Sequence, residues 1–295
     1  MKVFVTGASG FIGSRVVPEL IRAGHQVIGL ARSDESAKKL EQAGATVQRG
    51  SLDDIESLKA GAAASDGVIH LAFIHDFIHD FSKYATAMAA DQKAIEAIGQ
   101  VLAGTNKPFV GTSGTISLKP GQLLTEDVAW TEGRGVSEVL LLGFASKGVR
   151  SSVIRLSPTV HGDHDQGFVP ALINVAKGKK QAGYIGDGSS RWSAIHVLDA
   201  AVLYRLAVEK APAGTILHGV GEEGVATKEI ATVFGRKLNV PVVSLTPEEA
   251  MKDMGFLGHF FGMDSPVSNK KTQEILGWKP THKGLLEDLE TGTYF

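Results

Sequence analysis

A glycine-rich turn near the start of the chain limits the possible folds more than any other feature of the sequence. The apolar run KVFVT at residues 2–6 leads directly into a turn in which Gly7, Gly10 and Gly13 are spaced three residues apart. In such a turn the first glycine permits a sharp bend, the second lets the backbone approach a pyrophosphate, and the third permits close helix packing. A helical pattern and a second strand, HQVIGLA, follow within about 30 residues, the length of a βαβ unit. The helix N-terminus offers free amides to phosphates, so the predicted dinucleotide-binding residues are Gly7, Ser9, Gly10, Phe11, Ile12 and Gly13.

Short β-branched runs alternate with helical patterns from Met1 to about Leu156, which is typical of parallel strands joined by crossover helices. The predicted strands are KVFVTG, HQVIGLA, ATVQRG, GVIHLAF, KPFVGTS and SSVIRLS, and the predicted helices begin near Phe11, Glu35, Leu52, Phe81 and Glu132. The helical run from Phe81 to Val101 is the longest. We therefore predict an α/β fold, a Rossmann-type doubly wound parallel sheet.

The local composition changes after Pro158, where predicted loops rich in Gly, Asp and Ser separate shorter helix and strand patterns. We expect a dinucleotide-binding domain at residues 1–157 and a smaller, interleaved substrate region at residues 158–295. A strand pattern at 214–220, GTILHGV, is expected to return to the edge of the main sheet.

Composition narrows the classes of partner. The formal net charge of −2 provides no basic field for nucleic acid or anionic lipid. The chain has no cysteine, which excludes disulfides, thiolate nucleophiles and cysteine metal ligands, and fits a reducing compartment. No apolar run approaches the roughly 20 residues needed to cross a bilayer. We expect a cytoplasmic protein with a small-molecule substrate and neither nucleic acid nor a membrane as its partner.

The end of the second predicted strand distinguishes the two nicotinamide cofactors. An acidic residue about 20 positions after the glycines would hold a ribose 2′-hydroxyl, whereas arginine accommodates a 2′-phosphate. Here the segment reads LARSDE, and Arg32 and Ser33 come before the acids Asp34 and Glu35. Arginine forms charge-assisted bonds to phosphate, and the two acids are suited to a helix N-terminus. The sequence favours NADP(H) over NAD(H), with Arg32 and Ser33 as cofactor-binding residues.

Several blocks in order along the chain carry a family resemblance: TGASGFIG, GSLDDIESL, VIHLAF, KPFVGTSGT, VIRLSPTVHG and LGWKPTH. Together they resemble the extended and atypical branch of the short-chain dehydrogenase/reductase superfamily, which includes NAD-dependent epimerase/dehydratase-like proteins. The resemblance spans almost the whole chain and implies nicotinamide binding across the carboxyl ends of the strands. It places Ser51 and Leu52 beside the adenine, where the family usually has an Asp in place of Ser51. It also places Leu71, Ala72 and Phe73 along the nicotinamide ribose. The strand end that carries the family's catalytic serine or threonine corresponds to Thr112 to Thr115.

The chain departs from the family at its proton chemistry. The resemblance implies a tyrosine and, four residues later on the same helical face, a lysine. These positions hold Arg134 and Glu138, while Ser137 fits the pattern. Arginine stays protonated at neutral pH, so it can polarise a carbonyl or clamp an anion but is a poor proton donor. Three interpretations remain open: a structural ion pair between Arg134 and Glu138, a substrate clamp, and an unconventional catalytic pair.

Other groups near the strand ends are candidates for the missing proton donor. His161 follows the sixth strand in SPTVHGDHD, and an imidazole can act as an acid near neutral pH. Its neighbours Asp163, His164 and Asp165 can orient it, bind a metal, or simply form a polar loop. Ser113 and Thr115 can bond a substrate oxygen whatever supplies the proton, although Gly114 lies where some relatives have the catalytic serine. Tyr84 and Tyr184 are further phenols. The predicted catalytic residues are Ser113, Thr115, Arg134 and His161.

Three other segments have two interpretations each. In RWSAIHVLDAA, Arg191 can reach an anionic substrate group, whereas Trp192 is expected to pack and His196 and Asp199 to form an internal pair. The segment MGFLGHFFGMD either covers an apolar substrate or is a buried helix face. The repeat FIHDFIHDF brings His75, Asp76, His79 and Asp80 together if it is helical. We interpret it as an amphipathic turn and predict no metal site.

The leading hypothesis is an NADP(H)-dependent oxidoreductase of a small-molecule carbonyl or alcohol, without the usual tyrosine and lysine. The alternatives are a non-catalytic NADP(H) sensor or regulator and a nucleotide-sugar epimerase or dehydratase. The resemblance also implies a possible homodimer through a four-helix interface.

Overall fold

A computed structural model describes residues 1–75, 81–115 and 121–295, and of Phe81 it describes only the backbone. The strands are β1 Lys2–Thr6, β2 Gln26–Ala31, β3 Thr46–Arg49, β4 Gly67–His70, β5 Pro108–Gly114, β6 Arg150–Leu156, β7 Thr159–His161, β8 Ala182–Ile185, β9 Arg191–His196, β10 Thr215–Gly219, β11 Glu222–Ala226 and β12 Val242–Leu245. The α-helices are α1 Gly13–Arg22, α2 Asp34–Gln42, α3 Ile55–Ala63, α4 Tyr84–Leu102, α5 Arg134–Gly143, α6 Phe168–Lys179, α7 Val197–Lys210, α8 Thr227–Leu238, α9 Pro247–Met254, α10 Phe256–Phe261, α11 Lys270–Leu276 and α12 Leu285–Thr291.

The main sheet of the described residues is parallel and has the order β10-β6-β5-β4-β1-β2-β3. The order reverses between β1 and β4, which is the switch point where doubly wound sheets bind dinucleotides. All six strands predicted in the first half are present. The predicted α/β Rossmann-type fold is confirmed.

Helices cover both faces of this sheet. One face packs against α1, α2 and α7, and the other against α3, α4 and α5. The helix α2 begins where its sequence predicts, because the Ser33 side chain accepts a hydrogen bond from the Ser36 N–H and forms a capping box. The helix predicted near Leu52 begins at Ile55, since Asp54 is its N-cap. None of the helices in the described ranges has the length and apolarity needed to cross a bilayer.

The residues after Pro158 contribute to both parts of the structure. β10 pairs in parallel with β6, from Thr215 opposite Ser152 to Gly219 opposite Leu156, so it completes the edge of the main sheet. The remaining strands form two small sheets, β11-β9-β7 and β12-β8. A second apolar core joins these sheets to helices α6, α8, α10 and α12. The C-terminal half thus adds one strand to the main sheet and forms a second core of its own.

A buried ion pair fixes α5 against the sheet. Arg155 of β6 donates to both carboxylate oxygens of Glu138, with Nε 3.1 Å from each, and both side chains are almost fully buried. Of the three interpretations of Arg134 and Glu138, the structural ion pair between them is not observed: Glu138 has a partner 17 positions away, on the strand that α5 covers. Chain-local spacing could not reveal this partner, because it depends on how α5 and β6 pack.

Two buried histidines are kept neutral by their surroundings. Burial lowers the pKa of His218 on β10 to about 4, although its Nδ1 donates to the carbonyl of Ser268 at 2.7 Å. Burial, together with the charges of His161 and His282, lowers the pKa of His196 to about 4, and its Nδ1 accepts from the Leu198 N–H at 3.3 Å. Both imidazoles are therefore neutral in the folded protein at neutral pH.

Replacing Glu138 by Leu is expected to destabilise the fold by about 3–5 kcal/mol, because it leaves the Arg155 charge buried without a partner. Urea denaturation measures the change in the free energy of unfolding. The matched control is Glu35→Leu, which removes one member of an exposed i,i+4 pair with Lys39 and should cost less than about 1 kcal/mol. Adding Arg155→Met to Glu138→Leu should restore part of the loss. Equal effects of the two single variants would contradict a structural role for the buried pair.

The free energy of unfolding is expected to fall as the pH is lowered from about 6.5 to 4. In that window the unfolded chain binds protons at His196 and His218 that the folded chain does not, at a slope of up to about 1.4 kcal/mol per pH unit for each group. Urea denaturation across this window gives the slope for the parent, for His218→Gln and for the exposed-site control His259→Gln. His218→Gln should have the shallower slope, and a slope equal to that of the parent would contradict this origin.

Candidate functional site

The glycine turn has no room for side chains at two of its three glycines. Gly7 has φ +66°, and a Cβ on it would lie 2.8 Å from the backbone nitrogen of Ala72, in the segment after β4. A Cβ on Gly13 would lie 2.2 Å from the carbonyl oxygen of Gly7, so any side chain there would separate α1 from the turn. Gly10 is exposed and its N–H bonds the Gly7 carbonyl at 3.0 Å. Strand β1, the start of α1 and the end of β4 therefore meet where a dinucleotide would approach the backbone.

The other residues predicted for this turn lie at the start of α1. Ser9, Phe11 and Ile12 are each partly exposed, and Ile12 packs against the core as the N-cap residue of the helix. The first N–H groups of a helix have no partner within it, so they are available to an anion. The start of α1 therefore has the free N–H groups on which the expected pyrophosphate contact depends.

The acids that follow Arg32 are paired with other cations. Asp34 accepts from Arg49 at 2.7 Å, and Glu35 accepts from Lys39 at 2.7 Å. Arg32 is exposed at the carboxyl end of β2 and, within the described ranges, makes no ion pair. Ser33 is exposed but its hydroxyl already caps α2. Arg32 is thus the cation at this strand end that remains available to a ligand.

The segments assigned to the adenine and the nicotinamide ribose lie on either side of the turn. Ser51 and Leu52 follow β3 and are partly exposed, and the Ser51 hydroxyl accepts from the Asp53 N–H at 3.3 Å. The segment of Leu71, Ala72 and Phe73 follows β4 and is also partly exposed. Its Ala72 N–H donates to the hydroxyl of Thr6 at 3.2 Å, which holds it beside β1. In the repeat that follows, Asp76, His79 and Asp80 lie outside the described residues, whereas His75 packs edge-on against Phe73.

The three hydroxyl residues at the end of β5 differ in their partners. Thr112 bonds the carbonyl of His70 and the hydroxyl of Tyr204, both at 2.8 Å. Thr115 is fully buried and donates to the carbonyl of Leu156 at 3.2 Å. Ser113 is 4% exposed, and its hydroxyl has no partner in the part of the chain that the structure describes. A buried polar atom without a partner requires one, so Ser113 is the hydroxyl most suited to bind a ligand.

Ser113 and Gly114 face opposite sides of the sheet, because successive residues of a strand alternate. A Cβ added to Gly114 would meet nothing among the described residues closer than the Leu156 carbonyl oxygen at 3.9 Å. Ser113 of β5 lies opposite Arg155 of β6. Residues that lie opposite each other on neighbouring parallel strands point to the same face of the sheet, so both side chains lie on the α5 side. The unpartnered hydroxyl therefore faces the helix on which the family carries its proton donor.

Arg134 reaches into this strand end. Its guanidinium lies 4.1 Å from the centroid of the Phe73 ring and donates to the Thr112 carbonyl at 2.7 Å. Its Nε is buried and, among the described residues, has no hydrogen-bond partner. Burial lowers the pKa of Arg134, while the nearby Asp91 opposes that shift. Arg134 thus provides a fixed cation between the segment after β4 and the end of β5.

A buried carboxylate behind Arg134 was missed by the sequence reasoning. Asp91 of α4 is 1% exposed and pairs with Nε2 of His70 at 3.2 Å, and Nδ1 of His70 bonds the Thr6 hydroxyl at 2.7 Å. Burial raises the pKa of Asp91, but the bond to His70 and the charge of Arg134 outweigh it, so the pKa lies below its usual value. Helical spacing gave a signal: Asp91 is in phase with the buried Ile95 and Ile98, so a charge falls on the apolar face.

His161 belongs to a different cluster. It is 1% exposed, its Nδ1 lies 2.9 Å from a carboxylate oxygen of Asp288, and its ring packs edge-on against His196. No hydrogen bond or ion pair of the described residues links this cluster to Arg134. The neighbour Asp165 bonds the Tyr294 hydroxyl at 3.0 Å, so the polar loop after β7 holds the C-terminus.

The same cluster has three potential metal ligands. His161, His196 and Asp288 each offer one atom, and these atoms lie within 4.8 Å of one another. However, Asp288 already pairs with Lys283 at 2.7 Å. Nδ1 of His196 accepts the Leu198 N–H, so the proton of the neutral ring is on Nε2. We interpret the cluster as a hydrogen-bonded support for β7 and α12.

The remaining C-terminal candidates have structural partners. Arg191 forms a two-bond pair with Asp264, with distances of 2.8 and 2.7 Å. Trp192 is 2% exposed, as expected for packing. The expected pair of His196 and Asp199 is wrong: Asp199 bonds Nδ1 of His282 at 2.8 Å, and the His282 ring stacks on His196. The His282 ring thus takes the place beside Asp199 that the sequence assigned to His196.

The aromatic segment predicted to cover an apolar substrate or to be buried shows features of both. It forms α10, in which Phe261 is 1% exposed while Phe256 and Phe260 are partly exposed. Phe260 packs with Phe168, and a small cavity beside it is lined by Pro158, Trp192, Phe260, Met263 and Ser265. Aromatic side chains of α10 and β9 therefore lie beside Pro158, two residues after the end of β6.

The chain is similar to known proteins over most of its length. It matches the family model described as the NAD dependent epimerase/dehydratase family over residues 3–113. An uncharacterized protein of Schizosaccharomyces pombe is 50% identical, with 100% of each chain covered. A sterol-4-alpha-carboxylate 3-dehydrogenase, decarboxylating, of Dictyostelium discoideum is 30% identical, covering 81% of this chain and 76% of that protein.

Among solved structures, DesIV, a dTDP-glucose 4,6-dehydratase of Streptomyces venezuelae with NAD bound, is similar with a TM-score of 0.77. That pair is 17% identical and covers 98% of this chain and 96% of the other, so the likeness concerns the fold. The family match, the sheet order and the glycine turn agree with one another. The chain belongs to the NAD-dependent epimerase/dehydratase family, in the extended short-chain dehydrogenase/reductase superfamily.

Proposed function

We propose that the protein is an NADP(H)-dependent oxidoreductase that acts on a carbonyl or alcohol of a small molecule. One observation carries the proposal: an unpartnered buried hydroxyl, Ser113, lies with the cation of Arg134 at the carboxyl end of the sheet that forms the dinucleotide turn. Hydride transfer requires the substrate oxygen to be held and its developing charge to be stabilised at that edge. Ser113 and Arg134 provide these two functions.

The preference for NADP(H) rests on the end of β2. Asp34 and Glu35, which would otherwise compete for a ribose hydroxyl or repel a phosphate, are paired with Arg49 and Lys39. Arg32 is exposed there and can form a bidentate, charge-assisted contact with a 2′-phosphate. We propose that the glycine turn holds the dinucleotide and that Arg32 supplies the selectivity for the 2′-phosphate.

Each of the predicted catalytic residues has a separate proposed role. The bound dinucleotide supplies or accepts the hydride. The hydroxyl of Ser113 holds the substrate oxygen, and Arg134 stabilises negative charge on it. Thr115 is proposed to keep the strand end in place through the Leu156 carbonyl, and His161 to keep β7 in place through Asp288.

One observation favours a second candidate, a non-catalytic NADP(H) sensor. The family's lysine position holds Glu138, which is committed to the buried pair with Arg155 and cannot hold a nicotinamide ribose as lysine does. A sensor would bind the dinucleotide through the same turn but would transfer no hydride. Turnover over a panel of aldehydes, ketones and quinones separates the two candidates.

We also propose a cytoplasmic location, which agrees with the absence of cysteine.

A homodimer through α4 and α5 is proposed as well. Val136 and Val139 of α5 are 45% and 54% exposed, and they would be covered if two copies paired these helices.

Replacing Arg32 by Glu is expected to weaken NADPH binding by about 10- to 100-fold and to leave NADH binding within about threefold, because one charge-assisted contact to phosphate contributes about 1.5–3 kcal/mol. Fluorescence titration with each cofactor measures the two dissociation constants. Lys210→Glu, an equal charge change at an exposed position, is the control. Equal weakening of both cofactors would contradict phosphate recognition by Arg32.

Replacing Ser113 by Ala is expected to lower kcat by about 100-fold, the effect of losing one hydrogen-bond donor to a developing oxyanion. NADPH binding should stay within about twofold of the parent. The matched control is Ser152→Ala, which removes another buried, unpartnered hydroxyl from β6 near its opposite end. Steady-state oxidation of NADPH with the best carbonyl of the panel measures kcat. Similar losses in both variants would indicate a packing effect, and full activity of Ser113→Ala would contradict its role.

A further inference from the structure

The proposed reduction needs a proton donor that α5 does not supply. Arg134 stays protonated and Glu138 is bound to Arg155, so neither delivers a proton to a carbonyl oxygen. The whole chain has four tyrosines. A phenol from another element can therefore take over the role if its oxygen reaches the start of α5.

Three of the four tyrosines are committed elsewhere. Tyr204 is fully buried and bonds the Thr112 hydroxyl at 2.8 Å. Tyr294 bonds Asp165 at 3.0 Å in the loop after β7. Tyr184 lies in β8, with the Lys228 ammonium 5.4 Å from its ring centroid. These side chains hold the core or the C-terminal region together.

The fourth tyrosine, Tyr84, contacts the start of α5. It is the first residue of α4 and is partly exposed. A Cβ added to Gly133, the N-cap of α5, would lie 3.0 Å from the Tyr84 oxygen, and the backbone N–H of Arg134 donates a hydrogen bond to that oxygen. The phenol therefore meets α5 at Arg134, the position where the family resemblance places a tyrosine.

Gly133 is adapted to this contact. Its φ of +50° lies in a region that residues with side chains rarely adopt, and the phenol oxygen occupies the space beside its Cα. Arg134, the next residue, then directs its guanidinium to the Thr112 carbonyl and leaves the buried Nε without a partner among the described residues. The Ser113 hydroxyl, which also has no partner among the described residues, follows Thr112 directly on the same strand end.

We propose that Tyr84 is the general acid of the reaction, so that a phenol from α4 and a cation from α5 together replace the family's tyrosine and lysine. This inference rests on the proposed function. In the reductive direction the hydride adds to the carbonyl carbon and the C=O π electrons move to oxygen. The Tyr84 O–H bond breaks, its proton goes to that oxygen, and the phenolate regains a proton from solvent through its exposed edge. Oxidation of the alcohol uses the same groups in reverse.

The electrostatics around Tyr84 suit an acid that holds its proton until charge develops. Burial raises the pKa of Tyr84 and the charge of Asp91 adds to that, while the charge of Arg134 and its backbone N–H oppose it. The phenol is therefore protonated at neutral pH. The cation and the amide that face it stabilise the phenolate once the proton has left.

The test compares the parent with Tyr84→Phe and, as matched control, Tyr184→Phe. Each protein is loaded with NADPH and mixed with the carbonyl that the parent reduces best, and the rate of a single turnover is followed by nicotinamide absorbance. Tyr84→Phe should slow this rate by at least about 100-fold, the effect of losing a positioned acid, with NADPH affinity within about twofold of the parent. Tyr184→Phe should match the parent.

A second readout does not depend on turnover. The phenolate absorbance that Tyr84→Phe removes identifies the Tyr84 titration. This titration should move to higher pH in Arg134→Met, because a charge that lowers the pKa of Tyr84 has been removed. A parent that turns over, with Tyr84→Phe within threefold of it or with no movement of the titration in Arg134→Met, would overturn the role of Tyr84 alone. A parent that binds NADPH but reduces nothing in the panel would overturn the proposed function and the role of Tyr84 with it.

Discussion

The buried pair of Glu138 and Arg155 is the interaction on which the position of α5 over the main sheet depends. It joins α5 to β6 through two charges that are almost completely removed from water, and removing water from charges is costly unless each has its partner. The position of α5 is therefore closely constrained. Because Arg134 is one turn before Glu138 on the same face, this pair also determines where the Arg134 guanidinium reaches the end of β5. A residue that replaces the family's lysine thus serves the geometry of the site rather than the chemistry.

The fold was predictable because its signals are local. Gly7 and Gly13 are required by contacts within the first βαβ unit and with the adjacent end of β4, where any Cβ would overlap backbone. The six strands of the first half alternate with helices in a period that sequence alone displays, and the confirmed sheet follows from that alternation. The errors at helix starts are a few residues and have local causes, as with Asp54, which caps α3 later than predicted.

The site was less predictable because its contacts join distant segments. Spacing suggested that Arg134 and Glu138 pair along α5, but packing offered Glu138 a better partner on β6. Spacing likewise suggested His196 with Asp199, but His282 came between them. Asp91 was detectable as a charge in phase with the buried side of α4, yet only the fold shows that His70 and Arg134 are what it balances. Which hydroxyl of β5 lacks a partner also follows from packing.

The residues around Arg134 balance its positive charge on one side only. A guanidinium that only filled space would be expected to pair fully with a carboxylate, since burial lowers its pKa and an unmatched cation is costly. Here Asp91 balances it from behind, through a carboxylate that also bonds His70, while the Nε side has no partner among the described residues. A cation balanced on one side presents a fixed positive field on the other. Such a field stabilises charge that appears only during a reaction, because it is oriented before that charge develops. The helix that lacks the family's tyrosine thus carries a fixed cation, and on the proposed function a phenol from the neighbouring helix α4 completes the site.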